Sequence, residues 1–306
     1  LAFLSLFPHA RSPFMNRYGP RHLRASTLVT AAFLLFAFLV LFGAPGPGRA
    51  ASAPATSVAD AQNLVKKNPK DPNAYFALGT AYRRAGKSQD ALQAYQKMAA
   101  LVPNEAGAHV SLGAVYMDLK RPDDAYKEFK KALQLDPKDP SAHLNMGSYY
   151  VLEGKRDDAL VSFKRATELK PPLAEAWVNL GLIQAESGKI EDAVVSYNKA
   201  LDIDSTNVHA ICNLGNAKYG MGKIPEATEL YKKALKLDAN NQEALYNMGV
   251  AFADAQIYHE AINYWKKVVT IDSTTTVAES ARGSIQVLQD FLDQQKKSSA
   301  QTTGNQ

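Results

Sequence analysis

Apolar residues recur at spacings of three and four through Pro72–Thr275, in paired runs divided by polar turns such as Ser187-Gly188-Lys189. That spacing puts them on one face of a helix, so each pair reads as two amphipathic helices. The pair itself recurs every 34 residues. Asn179-Leu180-Gly181 returns as Asn213-Leu214-Gly215 and as Asn247-Met248-Gly249, and earlier as Asn145-Met146-Gly147. Six copies start at Pro72, Ala106, Pro140, Ala174, Val208 and Gln242, and together they cover 72–275 without a gap. A fixed period in this range is the signature of stacked units, each burying its apolar face against the next. The expected fold class is all-α: an α-solenoid superhelix of six 34-residue helix-turn-helix repeats.

Three positions in the repeat never change. The third is Ala, the eighth is Gly and the twentieth is Ala in all six copies. The twenty-fourth is always aromatic: Tyr95, Phe129, Phe163, Tyr197, Tyr231 and Trp265. Small residues at positions eight and twenty let the two helices approach, and the large ring fills the space beside the contact. An aromatic followed by Leu-Gly and Tyr, then Ala, aromatic, Ala and Pro, at a period of 34, resembles the tetratricopeptide (TPR) repeat family. The first three copies match closely, with Tyr82, Tyr116 and Tyr150 and the closing Pro103, Pro137 and Pro171. The later copies drift: Gln184 and Lys218 replace the Tyr, and Ser205, Ala239 and Ser273 replace the Pro. Residues 57–71 read as an N-terminal capping helix, 276–295 as a C-terminal capping helix, and 296–306 as a disordered polar tail.

Charge first suggests a polyanion partner, at +5 with a pI near 9.0. Its location removes that reading. Residues 1–55 hold five Arg and no acid, and the rest of the chain balances 30 basic against 30 acidic residues. No nucleic-acid partner is expected of the repeat body. The N-terminal basicity flanks an apolar run, Leu28–Phe42, and that layout is an export signal or a signal anchor. The uncharged stretch from Ala25 to Ala44 is 20 residues, enough to cross a hydrocarbon layer of ~30 Å as a helix. We expect 1–14 to be an upstream over-extension before Met15, 15–44 a signal peptide or transmembrane anchor, and 45–56 an Ala/Pro/Gly linker. Arg residues before the run would keep the N-terminus in the cytoplasm and the repeats outside it: membrane-anchored, or soluble in the periplasm or secreted if the signal is cleaved.

The sequence carries no nucleophile–base arrangement, phosphate-binding Gly loop or metal-ligand spacing, so no cofactor, no metal and no enzymatic activity are expected. His109 and His143, at position four, read as structural rather than as a metal pair. The TPR resemblance implies that positions two, five, six, nine, twelve and thirteen line a concave groove. Position six then gives a ladder of Asn145, Asn179, Asn213 and Asn247, whose amides can pair with a peptide backbone. First helices about 10 Å apart would supply one Asn per roughly three residues of an extended peptide. Position five gives Phe76, Val110, Leu144, Val178, Cys212 and Tyr246, an apolar line without the Lys that would clamp an acidic tail. Glu175 and Glu186 make the later part mildly acidic. The expected partner is a protein or peptide, neutral to weakly basic. The expected function is an interaction scaffold or assembly factor outside the cytoplasm, with an accessory subunit of a glycosyl-transfer or polysaccharide-export system as the alternative.

Overall fold

The computed structural model describes residues 56–170 and 172–303. Among them are fourteen α-helices and no strand. The described residues fall into two compact units, 56–238 and 239–303. The first contains α1 (Val58–Lys67) and then five helix pairs: α2 (Pro72–Arg84) with α3 (Ser88–Leu101), α4 (Ala106–Asp118) with α5 (Pro122–Leu135), α6 (Pro140–Leu152) with α7 (Arg156–Glu168), α8 (Ala174–Glu186) with α9 (Ile190–Ile203), and α10 (Val208–Gly220) with α11 (Ile224–Leu237). The second contains α12 (Gln242–Asp254), α13 (Tyr258–Ile271) and α14 (Thr276–Thr303). The segments expected at 1–14 and 15–44, and nearly all of the linker 45–56, lie outside the described residues. Among the described residues no helix is long and apolar enough to cross a membrane.

One steric contact joins the two helices of every repeat. A Cβ added at Gly79, Gly113, Gly147, Gly181 or Gly215 would run into the ring of Tyr95, Phe129, Phe163, Tyr197 or Tyr231, and one at Gly249 would run into Trp265. All six rings are essentially inaccessible to solvent. Burying a ring of this size stabilises by roughly 1.5–3 kcal/mol, and only a residue without a side chain leaves room for it. The invariant Ala of position twenty is fully buried each time.

The turn inside each repeat is also fixed. Position fifteen takes positive φ in all six copies, with Gly86, Gly154, Gly188 and Gly222 but also Lys120 at 59° and Gln256 at 61°. The amide one residue later donates to the carbonyl five residues back, as from Lys87 to Tyr82 at 2.9 Å and from Lys155 to Tyr150 at 2.8 Å. That is the six-to-one bond of a helix stop with a left-handed cap.

The joints between repeats vary. In the first three copies a ring at position four bonds the carbonyl of the proline six residues earlier. Tyr75 donates to Pro69 at 3.2 Å, and the Nε2 atoms of His109 and His143 reach Pro103 and Pro137 at 3.0 Å. In the fifth copy Ile211 takes this position and is fully buried. Position eleven changes too, and in the fourth and fifth copies its partner lies inside the same repeat. Where Tyr82 accepts from Gln62 at 2.9 Å, Gln184 accepts from Ser196 at 2.6 Å and Lys218 pairs with Glu226 at 2.8 Å.

Acids sit in the first turn of every second helix, where they favour the helix dipole. The bases of position twenty-six do not mirror them. Only Arg165 of that column reaches the last turn; Lys97, Lys131, Lys199, Lys233 and Lys267 stop short of it.

In the second unit Trp265 donates from its indole to the Tyr246 carbonyl at 3.1 Å, and the Tyr246 hydroxyl lies 3.2 Å from Ser284 on α14. Ala278, Ala281 and Leu288 bury the inner stripe of α14. This helix corrects the expected boundary at Gln295, because it continues to Thr303. Nothing between 296 and 303 breaks a helix, and the first Gly after it is Gly304.

Candidate functional site

The first helices were expected to line a groove, and their exposure divides the expected residues sharply. Position five is not a groove floor. Val110, Leu144, Val178 and Cys212 are 1%, 3%, 4% and 0% exposed in the first unit, and Tyr246 is 4% exposed in the second. Val110 packs with Ala132 and Ala142, Leu144 with Ala176 and Leu180, and Val178 with Ala200 and Ala210. These side chains therefore fill the seam to the next first helix and carry stacking energy. Phe76, in the first copy, is only partly covered and packs near Tyr95. Cys212 is outside any disulfide and fully buried, closed to reagents and to a ligand.

The asparagine ladder is not uniform. Asn145 is buried, and its amide donates to the Ser141 carbonyl of its own helix at 2.7 Å. Asn213 and Asn247 are buried as well. Asn179 remains partly open. Around position six in the second and third repeats, Ser111, Ala114 and Ser148 are small and buried.

Of the expected groove residues, most that keep some exposure lie on α8. Glu175, Asn179, Leu182 and Glu186 are spaced four, three and four residues apart, and so lie along one stripe of the helix. Buried Val178 and Leu180 anchor that helix from below. Burial raises the pKa of Glu186, and Arg156, 3.7 Å away, opposes the rise. The stripe offers two carboxylates, an amide and an apolar side chain on a rigid support.

Sequence reasoning missed one ion pair on the first helices. Arg83 of α2 reaches Asp118 of α4 through two bonds, Nε to Oδ2 at 2.6 Å and a terminal nitrogen to Oδ1 at 3.2 Å. Burial works against the Arg83 charge, but Asp118 and the Tyr95 hydroxyl outweigh it and hold its pKa above the ordinary value. The partners are one period plus one residue apart, so nothing in either copy alone points to them. Among the described residues no three His, Cys, Asp or Glu side chains converge as a metal site. His109 and His143 are tied instead to separate carbonyls.

The chain matches the family model described as the cilia and flagella-associated protein 70 C-terminal domain, a TPR module, over residues 46–270. Together with six glycine–aromatic contacts at a fixed period, that decides the family. The chain belongs to this tetratricopeptide-repeat family. Solved TPR structures agree in fold. The chain resembles the APC/C hetero-tetramer Cut9–Hcn1 with a TM-score of 0.66 at 16% identity, over 74% of this chain and 45% of that one, so it spans less than half of that chain. It resembles PilF of Pseudomonas aeruginosa with a TM-score of 0.59 at 19% identity, over 71% and 99% of the two chains. It resembles PilW, a widely conserved type IV pilus biogenesis factor, with a TM-score of 0.59 at 18% identity, over 68% and 97%. No curated protein matches the chain significantly.

Proposed function

We propose that this TPR protein is a non-catalytic scaffold that holds a segment of another protein against its first helices. The observation that carries the reading is the partly exposed stripe Glu175–Asn179–Leu182–Glu186 on a helix whose other side is locked into the stack. Its carboxylates favour a neutral to weakly basic segment, and Asn179 can pair with backbone N–H and C=O. The fold shared with a type IV pilus biogenesis factor supports an assembly role at the cell envelope by analogy of fold. The basic and apolar N-terminal sequence supports export, with the repeats outside the cytoplasm.

Photo-cross-linking in the native source tests the binding face. A benzoylphenylalanine at position 179 or 182 of the full chain is expected to capture a discrete protein partner, and one at exposed Lys199 is not. Equal capture from both faces, or capture from Lys199 alone, would overturn the proposal. Alkaline phosphatase, which folds only in an oxidising compartment, tests export when fused after Gln306. Activity is expected, and an inactive fusion of full length would place the repeats in the cytoplasm.

A further inference from the structure

The third repeat leaves open a place that the second repeat fills with its own carboxylate. In the second repeat the His109 ring bonds on both sides: Nε2 to the Pro103 carbonyl at 3.0 Å and Nδ1 to Glu128 of α5 at 2.6 Å. In the third repeat the His143 ring holds the same place, with Nε2 on the Pro137 carbonyl at 3.0 Å. The residue equivalent to Glu128, one period on, is Ser162. A serine is too short to reach the ring, and its hydroxyl turns back to the Asp158 carbonyl at 2.8 Å. No side chain among the described residues bonds the second ring nitrogen of His143.

A pocket of about 460 Å³ opens at this spot, lined from α5, α6 and α7. Its cations are Lys130 and Arg165, with His143 beside them, and no carboxylate lines it. Lys130 makes no ion pair among the described residues, and Arg165 is held at the rim by exposed Glu168 at 3.1 Å. The apolar walls are Tyr126, Met146 and Tyr150, and Val161 stands at the rim with 68% of its surface exposed. Burial raises the pKa of the Tyr150 hydroxyl, and Tyr126 and Asp158 add to the rise, so it stays protonated and able to donate. In the fourth repeat the equivalent serine, Ser196, is engaged instead, donating at 2.6 Å to Gln184, which stands where Tyr150 does in the third.

We propose that the third-repeat pocket binds the side-chain carboxylate of an acidic protein segment, which takes the place at His143 that Glu128 holds at His109. Lys130 and Arg165 supply the charge complementarity, and an apolar side chain next to the carboxylate packs on Tyr126, Tyr150 and Val161. The site is built mainly from second helices. It does not depend on the α8 stripe, so either reading can fail without the other.

Fluorescence anisotropy on the full chain tests it with two labelled, C-terminally amidated peptides. One alternates Glu with Phe, and the other carries Gln in place of every Glu. The Glu peptide is expected to bind at least tenfold more tightly than the Gln peptide. Ser162→Glu supplies the missing carboxylate from within, as Glu128 does, and is expected to weaken the Glu peptide at least tenfold. Ser162→Gln, of equal size without the charge, is expected to weaken it less, and both variants should keep the parent circular-dichroism spectrum. Lys130→Gln is expected to weaken the Glu peptide severalfold and leave the Gln peptide unchanged. Equal affinity for the two peptides, no measurable binding of the Glu peptide, or equal effects of Ser162→Glu and Ser162→Gln would each overturn the proposal.

Discussion

The third and fifth repeats are built on the same inner contact and joined to their neighbours by different means. In both, a glycine lies beneath an aromatic ring, Gly147 under Phe163 and Gly215 under Tyr231. Outside that contact they diverge. The third repeat ties its position-four ring to a proline carbonyl and places Tyr150 at position eleven. The fifth buries Ile211 at position four and pairs Lys218 with Glu226 at position eleven. The helix pair is thus set by one steric demand that admits no substitute. The joint at position four accepts a ring hydrogen bond or plain apolar burial, since it only has to cover the seam, and position eleven inside the repeat accepts an aromatic ring or an ion pair. Variation at a joint closed from within, as by Ile211, therefore carries no message about a partner, whereas variation that leaves a place open, on the α8 stripe or at His143, does.

The largest effect should fall on the shared contact and be alike in both repeats. Gly147→Ala and Gly215→Ala each gain about 1 kcal/mol of helix propensity. The overlap with the ring costs about 3 kcal/mol and outweighs it. Urea unfolding of the two variants should show net losses of similar size, and a neutral result at either glycine would break the claim that the contact is shared. Next come the joints. His109→Phe leaves the Pro103 carbonyl and Glu128 without their partner and should cost about 1.5 kcal/mol. Ile211→Val, which trims only an apolar seam, should cost about 1 kcal/mol by the same measurement. A smaller change of opposite sign is expected at Lys120, held at a φ of 59° where four other copies have Gly. Lys120→Gly should stabilise by about 1 kcal/mol.

The smallest effect belongs to the Lys218–Glu226 pair, whose carboxylate is solvent-exposed. The hydrogen bond from Lys218 lowers the Glu226 pKa below its ordinary 4.5, with the Lys218 and Lys223 charges contributing. A lowered carboxylate pKa adds stability above the unfolded value, and that stability is lost as the pH falls through the folded value. Lys218→Met should therefore lower the melting midpoint slightly at pH 7, and the difference should vanish in strongly acidic buffer and shrink in high salt.

The fold was legible because the same demand is repeated six times. Gly147 alone is a glycine in a helix, but Gly at position eight of every copy opposite an aromatic at twenty-four names a contact. The helix end at Thr303 was less legible, since polar composition alone does not stop a helix, and no Gly or Pro stands between 296 and 303. The site was legible only in outline. Periodicity assigns Val178 and Asn179 to the same side of α8, yet Val178 is buried against Ala200 and Ala210 while Asn179 stays partly exposed, a difference only the packing of the next repeat reveals. The contrast of Glu128 with Ser162 is visible in the sequence, but its meaning depends on a histidine nineteen residues away being turned toward it.

The central claim is that conserved columns make the fold and the open α8 stripe makes the contact. Its most direct test is the affinity of the cross-linked partner for the full chain carrying Glu175→Ala with Asn179→Ala, measured alongside thermal unfolding of the same sample. A dissociation constant raised at least tenfold with an unchanged unfolding midpoint is predicted. An unchanged dissociation constant, or a loss of affinity matched by a loss of stability, would contradict it.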